Sequence, residues 1–130
     1  MIVTDASVVL DVLLRSPGCE LLEDRLFARG QTLHAPHLLD LEVAQVLRRY
    51  LIRREIDLSF AGAALELFAR FPIHRYSHEP LLQRVWALRG TMTAYDAAYV
   101  ALAEGLGAPL VTRDRKLAAA SGHQAKIDVV

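Results

Sequence analysis

The feature that most constrains this chain is the alternation of short apolar runs with helix-length stretches. Ile2 to Asp5, Leu33 to Ala35, Ile73 to Tyr76 and Pro109 to Thr112 are too short for helices and are bounded by turn formers, so they are expected to be strands. Ile127 to Val130 is a candidate fifth strand at an edge. Helices are expected from about Ser7 to Leu14 and, after the Pro17-Gly18 break, from Glu20 to Arg29, stopped by Gly30. A Pro36 turn opens a long helix from Leu38 to Arg54. The next helix is capped by Asp57 or Ser59 and runs to about Arg70, with Pro72 after it. Further helices are expected over Pro80 to Leu88, Thr93 to Leu106 and Asp114 to Ala120. This order predicts an α/β fold with a central parallel sheet of four to five strands and helices on both faces. The length of 130 residues suits one domain, 1–130, and no linker, repeat or shift in composition marks a boundary.

In such a sheet the strand ends and the starts of the following helices share one edge, and ligands bind there. Four acidic residues fall at that edge. Asp5 ends the first strand, Glu42 lies early in the long helix, Asp96 lies in the first turn of its helix, and Asp114 follows the strand ending at Thr112. Each has an ordinary structural role if taken alone. Asp5 and Asp114 suit helix caps, Asp96 suits the third helical position after Thr93, and Glu42 suits a solvated helix flank. Their conjunction points elsewhere, because no lysine lies close in sequence to Asp5, Glu42 or Asp96. Converging carboxylates repel, and a divalent cation relieves that repulsion. Oxygen ligands suit the hard cations Mg²⁺ and Mn²⁺, which can polarise a phosphoryl oxygen and activate water. This is chemistry for cutting phosphodiesters.

Composition agrees with that direction without imposing it. The chain carries 15 basic and 15 acidic residues; setting the four acids aside leaves 15 against 11, a mildly basic remainder that permits RNA as a partner. No uninterrupted apolar span of ~20 residues is present, so no membrane-spanning helix is expected. The first residues form a strand and a helix without a basic lead or a cleavage site, so no signal peptide is expected. The one cysteine, Cys19, has no internal partner, which fits a reducing, cytoplasmic setting and a small packing role on a helix.

Four blocks give the chain a specific resemblance: Met1-Ile2-Val3-Thr4-Asp5-Ala6-Ser7, Ala35-Pro36-His37-Leu38-Leu39-Asp40-Leu41-Glu42-Val43, Tyr95-Asp96-Ala97-Ala98-Tyr99-Val100-Ala101-Leu102-Ala103, and Pro109-Leu110-Val111-Thr112-Arg113-Asp114-Arg115-Lys116-Leu117. In their order and spacing they resemble the PIN-domain ribonucleases, and most of all the VapC-type toxins of bacterial toxin–antitoxin pairs. The first block departs slightly, since Ala6 stands where the family often has a hydroxyl residue. The resemblance implies a PIN-like fold and a Mg²⁺-dependent, or Mn²⁺-dependent, endoribonuclease that leaves a 5′-phosphate and a 3′-hydroxyl. It implies Asp5 and Asp96 as chief metal ligands, with Glu42 and Asp114 completing the catalytic pocket. It also implies a cognate antitoxin that blocks the pocket, an RNA substrate and a homodimer. Ser7 and Thr112 carry hydroxyls that can orient the acids, or serve only in capping and strand packing.

Cations suited to RNA phosphates occur in two places. Arg113, Arg115 and Lys116 flank Asp114, and Arg49 and Arg53 share a helix arc of roughly 80° with Glu42 and Gln45. That arc suits RNA or the antitoxin, or is a solvated flank. The histidine pairs His34/His37 and His74/His78 lack zinc-ligand spacing and suit structural or surface roles. Gly105-Leu106-Gly107 follows a helix and reads as its C-cap, and no phosphate-binding P-loop is present. Two alternatives remain: a metal-dependent phosphatase, whose usual second aspartate is missing from Asp5-Ala6-Ser7, and a non-catalytic PIN-like domain binding RNA or protein.

Overall fold

The computed structural model describes residues 1–130. Five strands, β1 (Ile2–Thr4), β2 (Leu33–Pro36), β3 (Ile73–Tyr76), β4 (Leu110–Thr112) and β5 (Ile127–Val129), form one parallel sheet in the order β3-β2-β1-β4-β5. Seven helices connect them: α1 (Ala6–Leu13), α2 (Cys19–Leu26), α3 (Leu38–Ile52), α4 (Leu58–Ala69), α5 (Leu82–Ala87), α6 (Ala94–Leu106) and α7 (Arg115–Ala119). Every residue of β1, β2 and β4 is buried. Successive strand residues point to opposite faces, so both faces of the sheet centre are covered.

The strand order dictates how the helices divide. The chain steps β1 to β2 to β3 in one direction, then crosses back to β4 and on to β5. Right-handed crossovers place α1 to α4 on one face and, after the reversal, α5 to α7 on the other. The packing agrees: α1 meets α2, α3 and α4, whereas α6 meets α5 and lies over β1, β2 and β4. The reversal falls between β1 and β4, where Val3 and Thr4 pair with Leu110 and Val111. A crevice opens beyond the carboxyl ends of the strands at such a point.

The expected α/β architecture holds, with the fifth strand at the edge. Some boundaries differ for local reasons. The second helix ends at Leu26 rather than Arg29, because Phe27 leaves the helix to meet Phe71 edge-on at 4.9 Å. The third stops at Ile52, since Arg54 turns to a positive φ of 58°. The stretch expected as one helix from Pro80 to Leu88 divides into a 3-10 turn, Glu79–Leu81, and α5; the turn carries the proline in its first positions. Gly107, at φ 61°, closes α6 in the left-handed conformation that glycine adopts without strain.

A single apolar cluster of 30 buried residues joins both faces. Leu39 is fully buried, lies one turn before Glu42 on α3 and fixes that helix against the core. Leu39→Ala is expected to cost about 2–5 kcal/mol in urea denaturation followed by circular dichroism. A loss under 1 kcal/mol would mean that α3 is not anchored there.

Candidate metal centre and nucleic-acid interface

The crevice holds the four acids, each placed by a different element. Asp5 is the N-cap of α1, and its Oδ1 accepts from Val8 N–H at 3.2 Å. The Ser7 hydroxyl donates to the same oxygen at 2.6 Å, and the Thr112 hydroxyl donates to Oδ2 at 2.5 Å. Both carboxylate oxygens are therefore oriented. Thr112 Oγ1 also accepts from Asp114 N–H at 3.0 Å, so the ends of β1 and β4 are tied across the switch point. Asp114 is the N-cap of α7, accepting from Lys116 N–H at 2.9 Å and Leu117 N–H at 3.4 Å. Asp96 lies in the first turn of α6, where Thr93 caps the helix by accepting from Asp96 N–H at 3.2 Å. Three of the four acids thus sit at helix N-termini, where the helix dipole favours negative charge.

Glu42 reaches the cluster from α3 on the opposite face of the sheet from α6. Its Oε1 accepts from the Tyr99 hydroxyl at 2.6 Å, and Tyr99 is only 3% exposed. This bond joins the two helical layers over the sheet edge. Tyr99 escapes sequence reasoning, because an aromatic in Ala97-Ala98-Tyr99-Val100 reads as core packing. Its spacing of three residues after Asp96 on the same helix face was the available signal.

The electrostatics record the crowding. Burial raises the pKa of Asp5, opposed by its bonds to Ser7, Thr112 and the backbone. Burial raises that of Glu42, opposed by Tyr99 and reinforced by the charges of Asp5 and Asp96. Asp96 is raised by burial and then by Asp114. The Tyr99 hydroxyl is pushed far above its ordinary range by burial and by Glu42. No three of the chain's acid, histidine and cysteine side chains are spaced to hold one ion unaided. Mg²⁺ commonly takes one or two carboxylates and keeps several waters, so this donor set fits such an ion.

The basic candidates separate. Arg49 lines grooves on both flanks of α3, each also lined by Glu42, and Gln45 lines one of them. Arg53 is the C-cap of α3 and lines neither groove. Arg113 is paired through Nε with Asp11, and its backbone N–H donates to Ser7 Oγ at 3.0 Å. It is therefore a held cation rather than a free one. Arg115 and Lys116 are exposed at the start of α7. Two histidines have structural roles. His34 is buried, with both ring nitrogens bonded, to Tyr76 and Thr32, and His78 Nε2 accepts from Leu38 N–H at 3.0 Å, capping α3.

A parallel sheet ordered 3-2-1-4-5, with an acidic crevice at its switch point, is the architecture of the PIN domains, and the PIN-domain family model matches residues 2–122. The Mycobacterium tuberculosis ribonuclease VapC12 is 42% identical over 130 residues, which is 100% of this chain and 99% of the relative. The solved structure of PAE2754 from Pyrobaculum aerophilum superposes with a TM-score of 0.71 at 25% identity, covering 98% of this chain and 83% of the other. VapBC2 from Rickettsia felis, bound to a DNA fragment from their promoter, superposes at 0.72 over 99% and 98% of the two chains; at 13% identity it supports the fold alone. The chain belongs to the PIN-domain family, within its VapC group.

Two predictions of opposite sign follow for residues one turn apart on α6. Asp5, Glu42 and Asp96 have raised pKa values in the fold, so their contribution to stability is fully present below their unfolded values and is lost as pH rises through the folded ones. Asp96→Asn should therefore raise the urea midpoint of the metal-free protein at pH 7, and raise it less near pH 4. Tyr99→Phe removes a bond to a carboxylate and should lower stability by about 1.5–3 kcal/mol at pH 7 in the same measurement. An unchanged midpoint in both variants would mean that the carboxylates neither repel nor rely on Tyr99.

Proposed function

We propose that the chain is a metal-dependent endoribonuclease that serves as the toxin of a type II toxin–antitoxin pair. The observation that carries this reading is the meeting of Asp5, Glu42, Asp96 and Asp114 at the switch point of a chain alike over its full length to a VapC ribonuclease. Asp5 and Asp96 would be the principal ligands of Mg²⁺, or of Mn²⁺, with Glu42 and Asp114 completing the set directly after a small side-chain shift or through water. Such a cation, when bound, polarises a phosphoryl oxygen and lowers the pKa of water.

The remaining work belongs to the chain's own groups. Ser7 and Thr112 hold the Asp5 oxygens in fixed directions, so a ligand finds them pre-oriented. Tyr99 occupies Glu42 Oε1 and leaves Oε2 without a protein donor, available to take a proton from the attacking water. Arg49, Arg115 and Lys116 supply exposed cations for the RNA phosphates. In-line attack leaves a 5′-phosphate and a 3′-hydroxyl. Leu41 and Tyr95, 75% and 68% exposed beside Glu42, offer apolar surface for a cognate antitoxin that covers the crevice. The toxin acts as a homodimer in the cytoplasm. No helix is long and apolar enough to cross a membrane.

The purified, antitoxin-free protein is expected to cut RNA internally with Mg²⁺ or Mn²⁺ and to stop in EDTA. Asp5→Asn and Asp96→Asn should each lower cleavage by at least 100-fold, and Glu42→Gln and Asp114→Asn should also lower it, in single-turnover assays on folded protein. A small phosphomonoester should release negligible phosphate. Undiminished cleavage in EDTA would overturn the metal role, and rapid monoester hydrolysis without RNA cleavage would establish the phosphatase alternative.

A further inference from the structure

Between α1 and α3 runs a groove of about 410 Å³ that opens at the acid cluster. Glu42 and Ser7 stand at that end, Leu10 and Val46 supply apolar lining, and Arg49, Tyr50 and Arg113 also line it. The volume lies in the range of ~300–1,000 Å³ usual for small-molecule sites. Arg49 is exposed and pairs with no carboxylate. Arg113 is held at two points on α1, by Asp11 through Nε and by Ser7 through its backbone N–H. Its two terminal nitrogens make no hydrogen bond, so Asp11 fixes the direction of a fork whose outer donors remain free.

We propose that this groove is a subsite for the nucleotide adjoining the scissile phosphate, with Arg49 and Arg113 taking its phosphate oxygens and Tyr50 and the apolar lining receiving its base. The proposal deepens the ribonuclease reading and rests on it. Continuity decides the occupant. A strand whose scissile phosphate lies at the acids must leave the cluster along a neighbouring surface, and this groove begins at Glu42 and Ser7. Its chemistry agrees, since the unpaired charge of Arg49 and the free outer donors of Arg113 suit an anion, and Tyr50 beside apolar side chains suits a flat ring. Asp11 does not oppose the anion, because Arg113 neutralises it. Asp11 is thus a positioning residue acting through Arg113, and the fixed fork can discriminate among base edges as well as bind phosphate.

The test uses the full chain and a short single-stranded RNA that the wild type cuts once, in a set of four differing at the flanking base. Arg49→Ala is expected to raise KM about tenfold with kcat within about twofold, and to lower the log–log salt slope by roughly 0.7. Asp11→Asn should raise KM and narrow the preference among the four oligonucleotides. Arg29→Ala, exposed and remote from the groove, should match the wild type in every reading. Because Arg49 is exposed, its effect cannot be ascribed to unfolding. Wild-type KM, salt slope and base preference in both Arg49→Ala and Asp11→Asn would overturn the subsite. So would variants that keep their RNA kinetics but escape antitoxin inhibition, a result that gives the groove to the protein partner. A wild type that cuts no RNA would instead remove the ribonuclease reading, and the subsite with it.

Discussion

Carboxylate crowding at the switch point is the constraint around which the structure is arranged. Asp5, Glu42, Asp96 and Asp114 arrive from different elements, and the charges of Asp5, Asp96 and Asp114 raise the pKa of their neighbours. The fold tolerates the crowding because three of the acids sit at helix N-termini and because hydroxyls meet them: Ser7 and Thr112 on Asp5, Tyr99 on Glu42. Each donor favours the charged form, while burial and like charge disfavour it. The remaining repulsion is what a divalent cation would relieve.

The apolar interior makes that arrangement rigid. Three central strands buried at every position allow helices on both faces, and the reversal of strand order puts α3 and α6 on opposite sides of one edge. Glu42 and Tyr99 then meet across that edge, so packing in either layer is transmitted to the crevice. The same layer that carries Glu42 forms the α1–α3 groove, so the helix layout sets which surface leads away from the acids.

Much of this was legible because local rules and the fold agree. Ile73 to Tyr76 occupies the expected strand boundaries, with Pro72 before it to end the preceding helix. Asp5 was legible as a cap because it directly precedes the first helix, and its side chain accepts from Val8 N–H there. What was not legible depends on contacts between residues far apart in sequence. Nothing near Tyr99 announces Glu42, 57 positions away, and nothing near Arg113 announces Asp11, 102 positions away. Arg53 shares an arc with Glu42 on a helical wheel and stands at the C-cap of α3, outside the two grooves that Arg49 lines. Phe27 left its helix for a tertiary contact with Phe71, which propensity cannot anticipate.

The most direct test of the central claim, that these carboxylates form a divalent-cation site, is anomalous diffraction at the manganese edge from a crystal soaked in Mn²⁺. The account predicts a peak bounded by Asp5 and Asp96, about 2.0–2.2 Å from a carboxylate oxygen, and its loss in Asp5→Asn. Manganese bound elsewhere on the chain, with the crevice carboxylates unliganded, would contradict it.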